Sequence, residues 1–454
     1  MKKSKEKKNS IVRIFREGDT KTRLSCFIMG FSDMARGRFV KGLIYLLFEV
    51  AFIAFMVVKG GANLVNFVTL GTNQQGMVFN EETGIYDVSM GDNSMLMLLG
   101  GVVTLFVIAG FILIWISNLY SAFEVQRLKE SGAMIPGFIW DIKSLFDSKI
   151  HKLLLALPLI GIVIFTVVPL AYMILMAFTN YDMEHQPPGN LFDWVGFGTF
   201  VKLFTSNNGM SYTFWRVLGW TLIWAVFSTF TCYFGGMILA IVINRKGIKG
   251  KAFFRTMFVI TIAVPSFVTL MIVRVMLAKS GAINILLEDL GFITSPLPFL
   301  TEGTWAKITI IIVNMWIGIP VTMLITTGIL TNIPPDLYES AAIDGANKLQ
   351  AFVKITLPYM LFVTTPYLVT NFISNINNFN AIYLLNDGGP ATLDYFKGAG
   401  KTDILVTWLY KLTMDSRDYC YASAIGIVIF IMSAVLSLIV YRNTGAYKNE
   451  EGFQ

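Results

Sequence analysis

Tyr338-Glu339-Ser340-Ala341-Ala342-Ile343-Asp344-Gly345-Ala346, running on through Lys348 to Ile355-Thr356-Leu357-Pro358, is the stretch whose reading decides the fold. It lies between two apolar runs, each long enough to cross a bilayer. Pro334 and Pro335 suit the first turn of a helix, where a missing N–H is tolerated. Asp336 then sits at the positive end of that helix. Gly345 can take the left-handed conformation that ends it. A second helix is expected from about Lys348 until Pro358 blocks its continuation. The product is a compact helix–turn–helix on the membrane surface, where the Ala341-Ala342 pair leaves room for another surface to approach closely. An ordinary helical hairpin between two spans fits the same residues.

The chain around this stretch is built for lipid. Of its 454 residues, 55% are hydrophobic and 14% charged, with a mean hydropathy of +0.62. A soluble protein of this length carries roughly a quarter charged residues. The net charge of +7 does not point to nucleic acid, because its placement is lopsided. Lys2, Lys3, Lys5, Lys7, Lys8, Arg13, Arg16, Lys21, Arg23, Arg36, Arg38 and Lys41 crowd the amino terminus. That pattern holds a segment on the cytoplasmic side, near anionic lipid. No apolar core follows the first charges at the distance of a signal peptide. Cys26, Cys232 and Cys420 lie far apart, with no metal spacing and no disulfide framework.

A helix needs about 20 residues to span an apolar slab about 30 Å thick. Eight runs meet that standard, near 40–58, 95–120, 153–178, 213–243, 254–278, 305–330, 359–384 and 421–441. The fold class expected is therefore an all-α polytopic membrane protein. Its parts are a basic cytoplasmic or interfacial segment (1–38), two amino-terminal spans (39–120), a cytoplasmic linker (121–152), a six-span core (153–442) and a tail (443–454). Ile11 to Phe39 mixes basic and apolar residues, as an amphipathic segment on the inner leaflet would.

The connections fix the orientation. Residues 60–94 contain no Lys or Arg but carry Glu81, Glu82, Asp87 and Asp92, and belong outside. Residues 121–152 carry Arg127, Lys129, Lys143, Lys149 and Lys152 and belong inside, as does the turn with Arg245, Lys246, Lys249 and Lys251. Counting spans then puts 331–358 and both termini inside, and 179–212 and 385–420 outside. The outer stretch 179–212 reads equally as a small folded lobe or a cap.

Chemistry is sparse. The two histidines, His151 and His185, fall on opposite sides of the membrane, so metal chemistry is poorly supplied. Gly398-Ala399-Gly400-Lys401-Thr402 imitates the end of a phosphate-binding loop, but position 395 is Tyr where that loop needs Gly. Acidic residues are nearly absent from the later spans, and Arg274 is the clearest basic exception, which counts against ion coupling. The spans carry amides and aromatics instead. Asn371, Asn375 and Asn378 fall at i, i+4 and i+7 and are expected on one helical face, with Asn377, Phe379 and Asn380 nearby. Asn314, Trp316 and Gly318 lie on the preceding span. Neutral amides pair with hydroxyls and aromatic faces cover the C–H face of a sugar ring, so this lining favours an uncharged, polyhydroxylated solute. Interhelical bonding is the competing use of such asparagines, at about 0.6 kcal/mol each.

The stretch at 338–358 resembles the EAA loop of ABC importer permeases. Glu339, Ala341, Ala342, Asp344, Gly345, Ile355, Leu357 and Pro358 fit that pattern, with Ser340 in place of an alanine. Asn314 to Pro320, Asn375 to Phe379, Leu384 to Pro390 and Ala399 to Asp403 narrow it further. They resemble the larger, MalF-type permease of maltose/maltodextrin ABC importers, strongly from about 150 to 442. The resemblance implies a type I ABC importer permease fold in a bacterial cytoplasmic membrane. It also implies a sugar site at Asn314, Ile317, Gly318, Ser374, Asn375 and Asn378, and ATPase coupling through Glu339, Ala341, Ala342, Asp344 and Gly345. Val321 and Ser374 stand where enteric members have aromatics, which leaves the exact sugar open. The short outer loop at 179–212 resembles permeases of single-membrane bacteria.

The partners so implied are a second, MalG-like permease subunit, an ATPase dimer that uses ATP and Mg, an extracellular sugar-binding protein, membrane lipid and an oligosaccharide. No cofactor is expected in this chain, which reads as a transporter subunit rather than an enzyme. Two rivals stay open: a permease for another oligosaccharide or a polyol, and a stand-alone ion-coupled sugar carrier.

Overall fold

The computed structural model describes residues 11–443, apart from 82, 83, 206–208 and 246. The Lys2 to Lys8 cluster, Lys246 and the tail from 444 onward lie outside the described residues. The chain forms two compact units, one up to Trp194 and one from Val195. The third long apolar helix falls within the first of these units.

In the first unit, short helices α1 (Ile11–Glu17), α2 (Thr20–Leu24) and α3 (Phe31–Met34) precede two long helices, α4 (Phe39–Thr69) and α5 (Ser94–Glu130). The amino-terminal segment is bonded to these two helices. Gly30 N–H donates to Asn118 Oδ1 at 2.8 Å, Asn118 Nδ2 donates to the Ser25 carbonyl at 2.8 Å, and Trp115 Nε1 donates to that of Cys26 at 3.0 Å. Asn118 and Trp115 sit on α5, and Met29 N–H finds Glu49 of α4 at 2.8 Å. Ile14 and Met29 are buried, while Val12 and Phe27 stay exposed. Buried polar groups need such partners, and these bonds stitch the segment to the helices. Asp33 is fully buried beside Arg38 at 3.6 Å and accepts from Ser121 Oγ at 3.0 Å. Burial pushes its carboxyl up, against the pull of Lys41, Ser121 and Arg38.

The connections of this unit that are expected outside are folded. An antiparallel hairpin of β1 (Gly76–Asn80) and β2 (Ile85–Ser89) lies between α4 and α5, an element that the loop's composition did not announce. Helix α6 (Phe138–Phe146) leads to α7 (Ile150–Met176). Beyond it, Trp194 Nε1 donates to the Phe67 carbonyl at 3.0 Å, and the Tyr181 and Phe192 rings stack at 4.8 Å. Asp182 Oδ1 accepts from the Glu184 and His185 amides at 2.9 and 3.1 Å. The part of the outer stretch up to Trp194 is thus a small folded lobe.

The second unit contains α8 (Gly198–Phe204), α9 (Gly209–Asn244), α10 (Lys251–Ala263), α11 (Ser266–Met276), α12 (Ala282–Asp289), α13 (Gly303–Leu330), α14 (Pro335–Ile343), α15 (Lys348–Ile376), α16 (Phe379–Asn386), α17 (Leu405–Met414) and α18 (Tyr419–Asn443). Across the described residues seven helices are long and apolar enough to span, and α10 with α11 makes an eighth, bent by 90°. Val264 and Pro265 leave the helical region there, at ψ 124° and 126°. Pro320, by contrast, sits inside the unbroken α13. The core joins Trp220 and Trp224 of α9, Leu270 of α11, Ile310 and Val313 of α13, and Ala381, Ile382 and Leu385 of α16.

Beyond α16 the loop that leads to α17 folds on itself. Asp387 takes a left-handed φ of 49°, Thr402 N–H donates to the Gly388 carbonyl at 3.0 Å, and Lys401 N–H to that of Pro390 at 3.0 Å. Asp403 is fully buried and accepts from Gly400 N–H at 2.6 Å, Thr407 Oγ1 at 2.8 Å and Lys411 Nζ at 2.9 Å. Burial pushes that carboxyl up, opposed by Lys411. The Gly-Lys-Thr segment is therefore a structural loop closed by a neighbouring aspartate.

Asp19 offers a test of how the amino-terminal segment is held. Burial, the largest single influence, raises its carboxyl pKa, but the hydrogen bonds from Arg36 at 2.6 Å and Thr22 at 2.9 Å, with the Arg36 charge, together outweigh it and bring the value to about 2, below the ordinary 3.8. A depressed carboxylate contributes stability above its unfolded value, lost as pH falls toward its folded one. Amide exchange at residues 19–36 should therefore rise as pH drops from 3.8 toward about 2, relative to α5. In Asp19→Asn the protection should be lower throughout and free of that acid step.

Candidate functional site

The elbow at 334–347 is built as its residues require. Pro334 caps α14 in an extended conformation and Asp336 lies in its first turn. Gly345 has a φ of +76°, and its N–H and that of Ala346 donate to the carbonyls of Ala342 and Ala341 at 3.1 and 2.9 Å. A Cβ there would meet nothing within 4 Å, so the backbone angle, not space, calls for glycine. Asn347 then starts α15 with a reciprocal cap: its Oδ1 accepts from Gln350 N–H, and Gln350 Oε1 accepts from Asn347 N–H, both at 2.8 Å.

α15 does not stop at Pro358, contrary to the expectation. The helix widens to a π turn over Phe352–Thr356, and Pro358 enters in the first turn of the α-helical stretch that follows. A π turn breaks the i to i−4 ladder, so the proline's missing N–H falls where that ladder is already interrupted. The Tyr338 hydroxyl lies 2.8 Å from Thr356 Oγ1 and ties α14 to this turn.

Of the coupling candidates, Glu339, Ala342, Asp344 and Gly345 are exposed and Ala341 is half-buried. Ile343 and Leu349 are 87% and 70% exposed. An apolar pair left open on a rigid helical elbow, among charged residues, is the composition of a docking surface.

The amide-rich region is organised by α9. The Asn314 side chain packs on Cys232 Sγ at 3.7 Å, and a Cβ on Gly318 would meet that sulfur at 2.5 Å. One turn away, Thr229 Oγ1 accepts from Asn375 Nδ2 at 3.0 Å. The structure thus brings Asn314, Gly318 and Asn375 onto one turn of α9, with both amides buried. Ile317 packs on the core around Trp224, and Ser374 is exposed. Gly236 makes the approach of α9 to α13 close: a Cβ there would lie 2.6 Å from Thr322 Cβ. Small residues permit such contact between membrane helices.

The shared face expected for Asn371, Asn375 and Asn378 does not form. α15 ends at Ile376, and Asn378 starts a separate helix, its Oδ1 accepting from Ala381 N–H at 3.2 Å. Trp224 Nε1 takes the Asn375 carbonyl at 3.0 Å, just where the helix is cut. Asn and Asp favour N-caps because their side chains replace the missing backbone partner. That signal was present in Asn377-Asn378 but was hidden by the apolar run continuing to 384. Among the described residues no group of three metal-type ligands exists.

Residues 232–445 match the family described as binding-protein-dependent transport system inner membrane component. The galactooligosaccharides transport system permease protein GanP of Bacillus subtilis (strain 168) is 34% identical over 430 residues, 94% of this chain and 98% of that one. The maltodextrin transport system permease protein MalC of Streptococcus pneumoniae is 34% identical over 449 residues, covering 97% of this chain and 99% of that one. This chain belongs to that permease family. The maltose/maltodextrin transport system permease protein MalF of Escherichia coli (strain K12) is 35% identical over 277 residues, 60% of this chain and 53% of that one. In fold the permease resembles a crystal structure of a bacterial ABC transporter involved in the import of the acidic polysaccharide alginate. The TM-score is 0.52 at 26% identity, with 66% of this chain and 96% of that one covered. The protein is thus a multi-pass membrane permease subunit with the type I ABC importer fold.

The capping role of Asn378 predicts a difference between two variants. Asn378→Asp keeps an acceptor for Ala381 N–H and should unfold within about 0.5 kcal/mol of the native permease, whereas Asn378→Leu should lose about 1 kcal/mol. Thermal unfolding in detergent reads both, and equal stability of the two would remove the cap.

Proposed function

We propose that this permease forms half of the path by which an ABC importer carries maltodextrin-type oligosaccharides inward. Substrate names among the relatives support an uncharged oligosaccharide: galactooligosaccharides for one, maltodextrin for others. The composition of the spans agrees. Glu49, an acidic residue within a long apolar helix, is occupied by Met29 N–H, and the passage region offers amides and hydroxyls instead. Asn314, Ile317, Gly318, Ser374, Asn375 and Asn378 remain the candidate sugar contacts, with Asn314 and Asn375 buried in the arrangement described and Ser374 open.

The observation that carries the mechanism is the rigid, exposed elbow at α14. It is pinned through Tyr338 and Thr356 to α15, which runs from Lys348 to Ile376 and reaches Asn375. Force applied at Glu339, Ala341, Ala342, Asp344 and Gly345 is then delivered to the passage along one helix. The reading places the elbow and both termini in the cytoplasm, and it supplies four partners: a second permease subunit, an ATPase dimer using ATP and Mg, an extracellular sugar-binding protein, and the lipid around them. A structural neighbour is described in complex with an alginate pentasaccharide-bound periplasmic protein, which supports delivery by a binding protein.

Gly345→Asp tests the coupling. Asp tolerates the left-handed φ less readily, costing of order 1 kcal/mol locally, and it puts a charge on the docking face. The variant should insert and bind sugar-loaded binding protein, yet lose sugar-stimulated ATP hydrolysis by about tenfold, which is 1.4 kcal/mol of coupling. Undiminished stimulation in reconstituted vesicles would remove the coupling role.

A further inference from the structure

The outer end of the second unit holds chemistry that the passage residues leave unused. Phe379 and Tyr383 stand four apart on α16, hence on one face, and their rings stack at 4.7 Å with 22° between planes. Tyr410 of α17 closes edge-on against both, at 5.0 and 5.1 Å. Trp224 and Trp408 of the same unit are sealed at 0% exposure. The three rings of this cluster are each half-buried. The cluster also begins beside Asn378, the cap of α16 and a candidate sugar contact.

One turn beyond Tyr383, a cavity of about 420 Å3 opens among Arg274, Asn386, Asp387, Lys411 and Asp415. Tyr383 lies within electrostatic reach of Asp387 and Asp415, so the rings and the cavity are one neighbourhood. Lys411 is committed, its Nζ donating to the Asp387 carbonyl at 2.6 Å and to Asp403 at 2.9 Å. Arg274, Asp387 and Asp415 are in no ion pair among the described residues. Two free carboxylates accept hydroxyl hydrogens in pairs, the guanidinium donates, and Asn386 adds an amide. Two acids against one free base disfavour an anionic ligand, while the adjoining rings favour one with a flat C–H face.

We propose that Phe379, Tyr383 and Tyr410, with the carboxylates of Asp387 and Asp415, form an outer carbohydrate subsite on the approach to Asn378. The proposal rests on the oligosaccharide reading above. From Asn378 to Asp387 the helix rises about 13 Å, so a long oligosaccharide occupies the rings and the cavity together while its leading unit is near Asn378. A short one occupies one region at a time. These residues therefore set chain-length preference rather than the basic ability to transport.

The complete transporter with its binding protein, reconstituted in vesicles, tests this with maltotriose and maltoheptaose as probes. Tyr383→Leu and, separately, the surface variant Asp415→Asn should each raise the apparent KM for maltoheptaose about fivefold, the scale of one lost ring contact in the first and of one weakened hydrogen bond in the second. The KM for maltotriose should change less than twofold, Tyr383→Phe should behave as the native protein, and docking of the loaded binding protein should be unchanged. Native KM values for both sugars in both variants would overturn the subsite and leave the oligosaccharide reading standing. An equal rise for both sugars with weakened docking would overturn it in favour of a docking role. Failure of the unmodified transporter to take up either sugar would sink the oligosaccharide reading, and the subsite with it.

Discussion

A bilayer offers no water to a backbone amide, so every place where a spanning helix is cut must find its partners within the protein. The second unit is cut at two such places. At Asn377 and Asn378 the ends are taken up by the Trp224 indole on one side and the Asn378 side chain on the other. At Val264 and Pro265 the chain turns by 90°, and the carbonyl of Pro265 accepts from Val268 N–H at 3.0 Å to begin the next helix. A soluble protein would leave such groups to solvent. At Asn377 and Asn378 the break is held by a named donor and a named acceptor.

The same constraint explains why α9 is the hub. Its two turns from Thr229 to Gly236 present a hydroxyl, a thiol and a bare backbone, which let α13 and α15 approach closely and bond across. Trp220 Nε1 donates to the Thr402 carbonyl at 3.0 Å, so α9 also anchors the loop between α16 and α17. The loop's own lock is ionic: Lys411 neutralises a buried carboxylate that would be costly alone. The loop after α16 is thus locked by an ion pair, and the elbow is tied to α15 by one hydroxyl pair.

The spans were legible in the sequence because about twenty apolar residues in a row admit little else, and the elbow was legible because Pro, Asp and Gly each have one good place in a short helix. The cut at Asn378 was not, since Ala381, Ile382 and Leu385 continue the apolar run and the cap depends on a partner helix to bury it. The passage of α15 through Pro358 was missed because a π turn has no composition of its own. The stitching of the amino-terminal segment depended on Asn118 and Trp115, nearly 90 residues away from the groups they bond. The candidate coupling residues were readable from local pattern, whereas the partners of Asn314 and Asn375 required the fold.

The central claim is that an exposed, apolar-tipped elbow is where a separate ATPase takes hold. Ile343, 87% exposed at the end of α14, is the place to measure it. With the native cysteines replaced, Ile343→Cys should form an oxidative cross-link to single-cysteine ATPase subunits in inverted membrane vesicles, and ATP should change its yield. A residue labelled only from the outer face of intact cells, with no cross-link to any ATPase subunit, would contradict the account.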